Sequence, residues 1–254
     1  MDFSDLRDKR VLITAGATGI GKAIVEALLA EGACVAVGQR DFAKLQPLLD
    51  AHSPQLCGFQ VDISHPEECE KLVADATRVL GGLDVLVNNA ALTGAPAARW
   101  FLDETPDHIN DILDTNIKGV IHCSLHAARH MKETGGGVII HISSIGAFGA
   151  QQAASIYCAS KAALSGLTQS MAVELARHNI RVVAVAPGDI RIENSEADAN
   201  ARQKLQTDPR FVPNTPLGHG EPSDIGNLVA FLSSRNAKFV TGTTWVVDGG
   251  WLSY

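Results

Sequence analysis

Short continuous runs of apolar, largely β-branched residues recur along this chain, each separated from the next by a stretch with helical spacing. The runs are Val11-Leu12-Ile13, Cys34-Val35-Ala36-Val37, Gly58-Phe59-Gln60-Val61, Val85-Leu86-Val87, Val138-Ile139-Ile140, Val182-Val183-Ala184-Val185 and Thr244-Trp245-Val246-Val247. Helical spacing covers Ile20 to Ala30, Phe42 to Leu49, Pro66 to Leu80, Thr105 to Glu133, Ser155 to His178 and Pro222 to Ser233. A strand that is apolar throughout must be buried on both faces, as in a parallel sheet between two layers of helices. The pattern predicts an α/β fold: a doubly wound sheet of about seven parallel strands with helices on both faces. With 254 residues, 46% of them hydrophobic, the chain can build one large core. No linker, charge block or repeat divides it, so residues 1–254 are read as a single domain.

One segment breaks the rhythm. From Asp189 to Leu217 the chain is polar and charged, and it contains Pro209, Pro213 and Pro216. Stretches this long between elements are usually lids or disordered. This one follows Val185-Ala186-Pro187-Gly188, at the carboxyl end of a strand, where open α/β sheets bind ligands. It is read as a substrate lid at about 189–217.

Lys and Arg number 21 against 28 Asp and Glu, a net charge of −7 with no basic stripe, so nucleic acid is excluded as a partner. No apolar run approaches the ~18 residues of a membrane span. Met1 to Arg10 is charged and lacks the apolar core of a signal peptide. The five cysteines (Cys34, Cys57, Cys69, Cys123, Cys158) form no C-x-x-C pair and point to reduced thiols. The expectation is a soluble, cytoplasmic protein acting on a small molecule, with no membrane partner.

Between the first run and the first helical stretch lies Thr14-Ala15-Gly16-Ala17-Thr18-Gly19-Ile20-Gly21. Glycines there let the backbone turn sharply and approach a pyrophosphate, whose charge the helix N-terminus meets. The spacing is G-x-x-G-x-G rather than G-x-G-x-x-G, and such glycines also serve as plain loop formers. Their place in a βαβ unit favours a dinucleotide. Further on, Tyr157 and Lys161 stand four residues apart and share one helix face. An ammonium that close favours phenolate over phenol and moves a pKa of ~10 toward the working range of an acid–base catalyst. A hydroxyl from the strand end Ile142-Ser143-Ser144 could orient a substrate oxygen beside it. The pair alone does not decide the matter, because tyrosines often pack on a helix while lysines reach for water.

Taken in order, these motifs make the chain resemble the short-chain dehydrogenase/reductase family from Lys9 to Gly250. The glycine turn is followed by Asp62 after Val61, then Asn88-Asn89-Ala90, then Asn116 within Thr115-Asn116-Ile117-Lys118-Gly119. Tyr157 comes 13 positions after Ser144, Lys161 follows, and Pro187-Gly188 and Asp248-Gly249-Gly250 complete the series. The resemblance implies an extended Rossmann sheet and NAD(P)-dependent interconversion of a secondary alcohol with a ketone or aldehyde. It implies that Tyr157 is the acid–base residue and that Lys161 lowers its pKa and holds the nicotinamide ribose. Ser144 then binds the substrate oxygen, and Asn116 anchors a water in a proton relay through Lys161. The implied cofactor contacts are Thr14, Gly16, Thr18, Gly19, Ile20 and Gly21, then Gln39, Arg40, Asp62, Ile63, Asn89 and Ala90, and finally Tyr157, Lys161, Pro187, Gly188 and Ile190. No metal is implied. Family members form subunit contacts through the helices around Thr105–Glu133 and Ser155–His178, so a homotetramer or homodimer is expected.

Three positions depart from the family pattern. Ala15 stands where its first glycine does, tolerable if φ there stays below zero. Asn-Asn-Ala-Gly has become Asn88-Asn89-Ala90-Ala91, which alters the wall near the cofactor ribose. Ile192 replaces a threonine that would bond the carboxamide, leaving the backbone of Ile190 to supply that bond. Cofactor choice turns on Gln39 and Arg40. The carboxylate that would bond the adenosine ribose in an NAD enzyme is expected at Gln39, which is neutral, and Arg40 can pair with a 2′-phosphate. NADP(H) is the expectation; NAD(H) is the alternative, with Arg40 solvated and Gln39 or Asp41 serving the ribose.

Strand alternation turns Ser143 away from Ser144, giving it a structural role. His122, His126 and His130 recur at every fourth position and read as an interface or solvated stripe before a metal site. His141 reads as a core histidine. Trp100, Phe101 and Phe148 suit either pocket lining or core. The charged lid points mildly to a sugar, polyol or hydroxy acid. A 3-oxoacyl thioester reductase is the main competitor, beside an epimerase or dehydratase and a non-catalytic dinucleotide sensor. The tail Trp251-Leu252-Ser253-Tyr254 is a candidate to close a neighbouring subunit's site.

Overall fold

A computed structural model describes residues 3–192 and 215–253. Seven strands, β1 (Arg10–Thr14), β2 (Cys34–Gln39), β3 (Leu56–Gln60), β4 (Val85–Asn88), β5 (Gly137–Ile142), β6 (Ile180–Pro187) and β7 (Thr244–Val247), pair in parallel in the order β3-β2-β1-β4-β5-β6-β7. Successive side chains point to opposite faces of such a sheet, so each apolar run serves two cores at once. Val11 and Ile13 of β1 pack with Ile24, Val25 and Leu28 of α1 (Gly19–Ala30) and with Ile225 and Val229 of α7 (Pro222–Ser233). Leu12 between them joins Leu72 and Val73 of α3 (Pro66–Leu80) and Ala127 and Met131 of α5 (Val120–Thr134) on the other face. Each such buried aliphatic side chain contributes about 1.5–3 kcal/mol. Among the described residues the other helices are α2 (Gln46–His52), α4 (Pro106–Leu113) and α6 (Ser155–Leu175).

The sequence placed most elements within a residue or two, and three places differ for local reasons. The stretch from Phe42 to Leu49 begins as a 3-10 turn, Phe42–Leu45, before α2, which has Pro47 in its first turn, where a missing N–H costs nothing. The strand expected at Gly58–Val61 runs from Leu56 to Gln60, because Val35 of β2 pairs with Leu56 and fixes the register. The helical stretch Thr105–Glu133 is interrupted by a π-turn at Asp114–Gly119, between α4 and α5. Single π-turns inside helices mark functional sites, and this one carries Asn116.

The order in which successive strands are laid down reverses between β1 and β4, parallel neighbours in the sheet but not in sequence. The loops leaving them diverge and open a crevice at the carboxyl edge. Of the segment expected as a lid, residues 193–214 lie outside the described residues. Its flanks meet: Ile190 bridges Gly220, and the Arg191 N–H donates to the Gly220 carbonyl at 2.7 Å. The described part of the tail lies on its own chain. Asp248 accepts from the N–H groups of Gly250 and Leu252 at 2.9 and 2.8 Å, and the Trp251 ring covers Gly149, whose Cβ would fall 2.7 Å from it. Tyr254 lies outside the described residues. Among the described residues no helix is long and apolar enough to cross a membrane.

Candidate active site

Thr14, fully buried at the end of β1, organises the crevice. Its hydroxyl accepts from the N–H groups of Asn89 and Ala90, both at 3.0 Å. The Asn89 amide donates to the carbonyls of Thr14 at 3.2 Å and Ala15 at 2.7 Å, tying the segment after β4 to the glycine turn. Ala15 does not keep a negative φ: it sits at +59°, in the left-handed region. The reason is visible in its bonds, since its N–H goes to Gly38 at 2.7 Å while Asn89 holds its carbonyl. Those bonds outweigh a cost of about 1–2 kcal/mol for a residue with a Cβ in that region.

The turn fits a pyrophosphate. Gly19 has φ +53°, and a Cβ on Gly21 would collide with the Ala15 carbonyl and the Asn89 amide, so the backbone itself forms the floor. Thr18 makes no side-chain cap on α1, which leaves first-turn N–H groups free for an anion. Ile192 lies against this turn, 3.0 Å from where a Gly19 Cβ would stand. Ile190 is buried and its N–H donates to the Gly188 carbonyl at 3.0 Å, so the backbone donor expected for the carboxamide is already engaged. Pro187 and Gly188 close β6 where the Gly188 N–H reaches Val247 at 2.8 Å.

At the other end of the crevice, Gln39 Oε1 accepts from the Ala17 N–H at 3.3 Å. Arg40 is largely exposed, with Nη1 3.9 Å from Asp62 Oδ2, while Asp41 faces Lys44 at 3.3 Å. Burial pushes the Asp62 carboxyl up, but bonds from Ser64 and the charges of Arg40 and His65 hold it below its ordinary range. Glu68 Oε2 takes the Asp62 N–H at 2.7 Å. A cavity of about 480 Å³ opens here, lined by Arg40, Phe59, Val61, Asp62, Glu68 and Lys71 among others. Ile63 is buried just beyond it. Glu68 and Lys71 belong to no motif; only their place in the first turns of α3, after Asp62, could have flagged them.

The catalytic candidates meet where β5 ends. Tyr157 is partly exposed as a residue, and the Ser144 and Thr93 hydroxyls lie near enough to its own to act on its acidity. Ser144 Oγ accepts from the Gly146 N–H at 3.0 Å. Lys161 is buried, and its Nζ donates to the Ile142 carbonyl at 2.8 Å while lying 5.8 Å from the Tyr157 ring centroid. The phenol is not lowered by that neighbour, as the spacing alone predicted. Burial pushes it above its ordinary value, and the Ser144 and Thr93 hydroxyls pull it only part of the way back. Burial likewise pushes Lys161 down, to about 8. The ammonium is aimed at a carbonyl and a ring face rather than at the phenolic oxygen, so desolvation decides both shifts.

Asn116 is fully buried in the π-turn. Its Oδ1 accepts from the Leu92 N–H at 2.7 Å, and its Nδ2 donates to the Leu92 carbonyl and to Ser160 Oγ, both at 3.1 Å. Both amide hydrogens are therefore spent on protein, so a relay water at this residue would be held by a carbonyl oxygen. Ser143 donates to the Lys161 carbonyl at 3.0 Å, which locks β5 to α6.

His141 is fully buried beneath this corner. Its Nδ1 is 3.0 Å from Thr168 Oγ1 and its Nε2 3.4 Å from Ser124 Oγ, which in turn accepts from Asn88 Nδ2 at 2.9 Å. Burial, helped by the nearby Lys161 charge, pushes His141 from 6.5 down to about 4. A histidine held neutral in the fold adds stability above pH 6.5 that is lost as pH falls toward 4, by roughly 3 kcal/mol in all. Thermal unfolding across that window should show the decline, with a shallower slope in His141→Gln; equal slopes would contradict the assignment.

The outlying candidates do not join the corner's bonds. Among the described residues no group of three or more His, Cys, Asp or Glu is placed to hold a metal, and His122, His126 and His130 are each half-buried along α5. Trp100, Phe101 and Phe148 are 55%, 65% and 51% exposed, so core packing is ruled out for them. Thr93 is the residue that sequence reading missed here. It sits in an irregular segment after Asn88-Asn89-Ala90, and no residue pattern marks it.

The profile of the family described as enoyl-(acyl carrier protein) reductase matches residues 14–252. A 3α-hydroxysteroid dehydrogenase of Mediterraneibacter gnavus is 36% identical over 253 residues, covering 97% of this chain and 98% of its own. A short-chain type dehydrogenase/reductase from Mycobacterium marinum superposes with a TM-score of 0.88 at 36% identity, over 98% of each chain. A 3-ketoacyl-(acyl-carrier-protein) reductase from Brucella melitensis, solved with NADH, does so with a TM-score of 0.86 at 27% identity, over 97% of this chain and 99% of its own.

Proposed function

The chain belongs to the short-chain dehydrogenase/reductase family and interconverts an alcohol with a carbonyl using a nicotinamide dinucleotide; we propose that Tyr157 is its acid–base group, that NADP(H) is its preferred cofactor and that its substrate is polar. The observation carrying the site assignment is the meeting of three side chains where β5 ends: buried Ser144, and Lys161 buried with its Nζ 5.8 Å from the Tyr157 ring. The glycine turn, Asn89 and Ala90 hold the pyrophosphate and ribose side, Gln39, Arg40, Asp62 and Ile63 the adenosine side, and Lys161, Pro187 and Gly188 the nicotinamide side. When bound, the dinucleotide supplies or accepts a hydride at the substrate carbon. Tyr157 gives the substrate oxygen its proton in reduction and removes it in oxidation. The Ser144 hydroxyl, which spends one lone pair on the Gly146 N–H, keeps its proton to donate to that same oxygen.

Support for NADP(H) is the arginine at 40 with no carboxylate at 39, while Asp41 is turned to Lys44. Phosphate recognition by a guanidinium favours the 2′-phosphate form. Replacing Arg40 with Leu should lower kcat/KM for NADP(H) about tenfold or more and leave NAD(H) within about twofold. A tenfold preference of the unmodified enzyme for NAD(H) would sink the assignment. Support for a polar substrate is the charge carried by residues 189–217 in the sequence. A second reading, an acyl thioester, draws on exposed Trp100, Phe101 and Phe148 after β4 and β5. Sugars, polyols, hydroxy acids and acyl thioesters, assayed with both cofactors, separate the two. Exposed Ile121 and Leu125 on α5 and Val173 on α6 support a homodimer or homotetramer, and the five free cysteines a cytoplasmic setting.

A further inference from the structure

One buried pair of titratable side chains takes no part in the chemistry at Tyr157. Glu104 precedes α4 and His108 lies in its first turn; their side chains are 6% and 10% exposed, with His108 Nδ1 2.6 Å from Glu104 Oε2. The other ring nitrogen, Nε2, lies 3.1 Å from the Pro96 carbonyl. A carbonyl oxygen only accepts, so Nε2 carries a hydrogen, and the contact with Glu104 needs a second hydrogen between nitrogen and oxygen. Whether that hydrogen sits on the ring or on the carboxyl, the pair as a whole is neutral, which suits its burial. Glu104 thus braces the ring in the form that reaches Pro96.

Pro96 belongs to the segment that leaves β4 at the carboxyl edge of the sheet and runs to α4. Its start, Leu92, is held by the Asn116 amide at 2.7 and 3.1 Å, just after Asn89 and Ala90 have met Thr14. Beyond Pro96, the Arg99 N–H donates to the Ala153 carbonyl at 2.8 Å, and Arg99 forms a parallel bridge with Ala154. Ala153 has φ +49°, a left-handed conformation that a residue with a Cβ keeps only when held from outside. The Ala154 carbonyl accepts the Cys158 N–H at 2.8 Å in the first turn of α6, beside Tyr157. The segment therefore runs from the glycine turn to the helix that bears the phenol.

We propose that His108 is a positioning residue: braced by Glu104, it holds the Pro96 stretch, and through Arg99 the approach to α6, as the wall on the substrate side of the crevice. The inference rests on the reading of Tyr157 as the acid–base group. Substrate then meets the phenol and the dinucleotide in a gap whose width is set in advance, and small errors in such placement are costly to rate. Neither hydrogen of the pair enters the reaction.

His108→Asn places an amide where Nδ1 stands and loses the donor to Pro96, whereas His108→Gln reaches far enough to keep that donor. Hydrogen exchange of the Arg99 amide, read without substrate or cofactor, should speed up about tenfold in His108→Asn and stay within about twofold in His108→Gln. With the alcohol that turns over fastest in the panel of sugars, polyols and hydroxy acids, His108→Asn should raise KM about three- to tenfold. The dissociation constant for the reduced dinucleotide should stay within about twofold, and His108→Gln should restore KM. Should His108→Asn fail to fold, His108→Leu is measured in the same way. Faster exchange spread over β4 as well, with KM unchanged, would mark a residue that only stabilises the fold and overturns the proposal. So would an Arg99 amide and a KM both unmoved. Failure of the oxidoreductase reading would appear instead as absent turnover in the unmodified protein, with the exchange difference intact.

Discussion

Tyr157→Phe is expected to lower kcat by about a thousandfold or more, within the range that positioned acid–base groups supply. The substitution removes one oxygen and keeps the ring, which lies 5.8 Å from the Lys161 Nζ, so the packing of α6 against β5 is retained. Ser144 can still orient the substrate oxygen through its remaining proton, because its lone pair is committed to Gly146. The neighbouring groups do not replace it: Ser144 and Thr93 are alcohols, His141 is sealed below with its ring nitrogens on Thr168 and Ser124, and the Lys161 amine is directed to the Ile142 carbonyl. The dissociation constant for the reduced dinucleotide, followed by its fluorescence, should stay within about twofold. Turnover within tenfold of the unmodified enzyme would remove Tyr157 from the role.

Lys161→Met should abolish most activity and stabilise the fold. Keeping an ammonium whose pKa is pushed from 10.5 down to about 8 costs the folded state roughly 3 kcal/mol at any pH below 8. That cost fades as pH rises from 8 to 10.5, where the unfolded chain loses its own proton. Removing the amine also removes its bond to the Ile142 carbonyl, which offsets about 1–2 kcal/mol. The net expectation is a gain of about 1–2 kcal/mol at pH 7, a rise in Tm of roughly 3–6 °C for a chain of this length. By pH 10 the gain should shrink or reverse. Thermal unfolding of both proteins at the two pH values tests the sign. A lower Tm for the variant at pH 7 would show that Lys161 stabilises the fold, contrary to its burial. Destabilised groups retained at catalytic sites are a general compromise between stability and function.

The sheet was legible because a parallel strand buried on both faces must be apolar along its whole length, and seven such runs are written into the chain. Helix limits were equally plain where proline opens a helix, as at Pro66 and Pro222. The site was legible as far as single side chains announce their chemistry: Tyr157, Lys161 and a hydroxyl from Ser143-Ser144 could be named from type and spacing, Asn116 only from the family resemblance. What spacing cannot carry is direction. It gave Lys161 a phenol to acidify, whereas the folded chain aims that amine at a backbone carbonyl and lets burial set both groups. It left Ala15 with an ordinary φ, because the opposing pulls of Gly38 and Asn89 come from residues distant in sequence. Glu68 escaped notice for a different reason: its bond to the Asp62 N–H lies within the one β3–α3 connection, and no motif marks it.

The π-turn at Asp114–Gly119 has a mechanical consequence. Through one amide it is the shared anchor of two walls that must keep a fixed separation, the strip that leads to Thr93 and the first turns of the helix bearing the phenol. A shift in winding there would move both walls together, changing where the reaction happens without altering any group that performs it. Tuning of this enzyme by substitutions remote from its substrate should therefore concentrate along that short overwide coil.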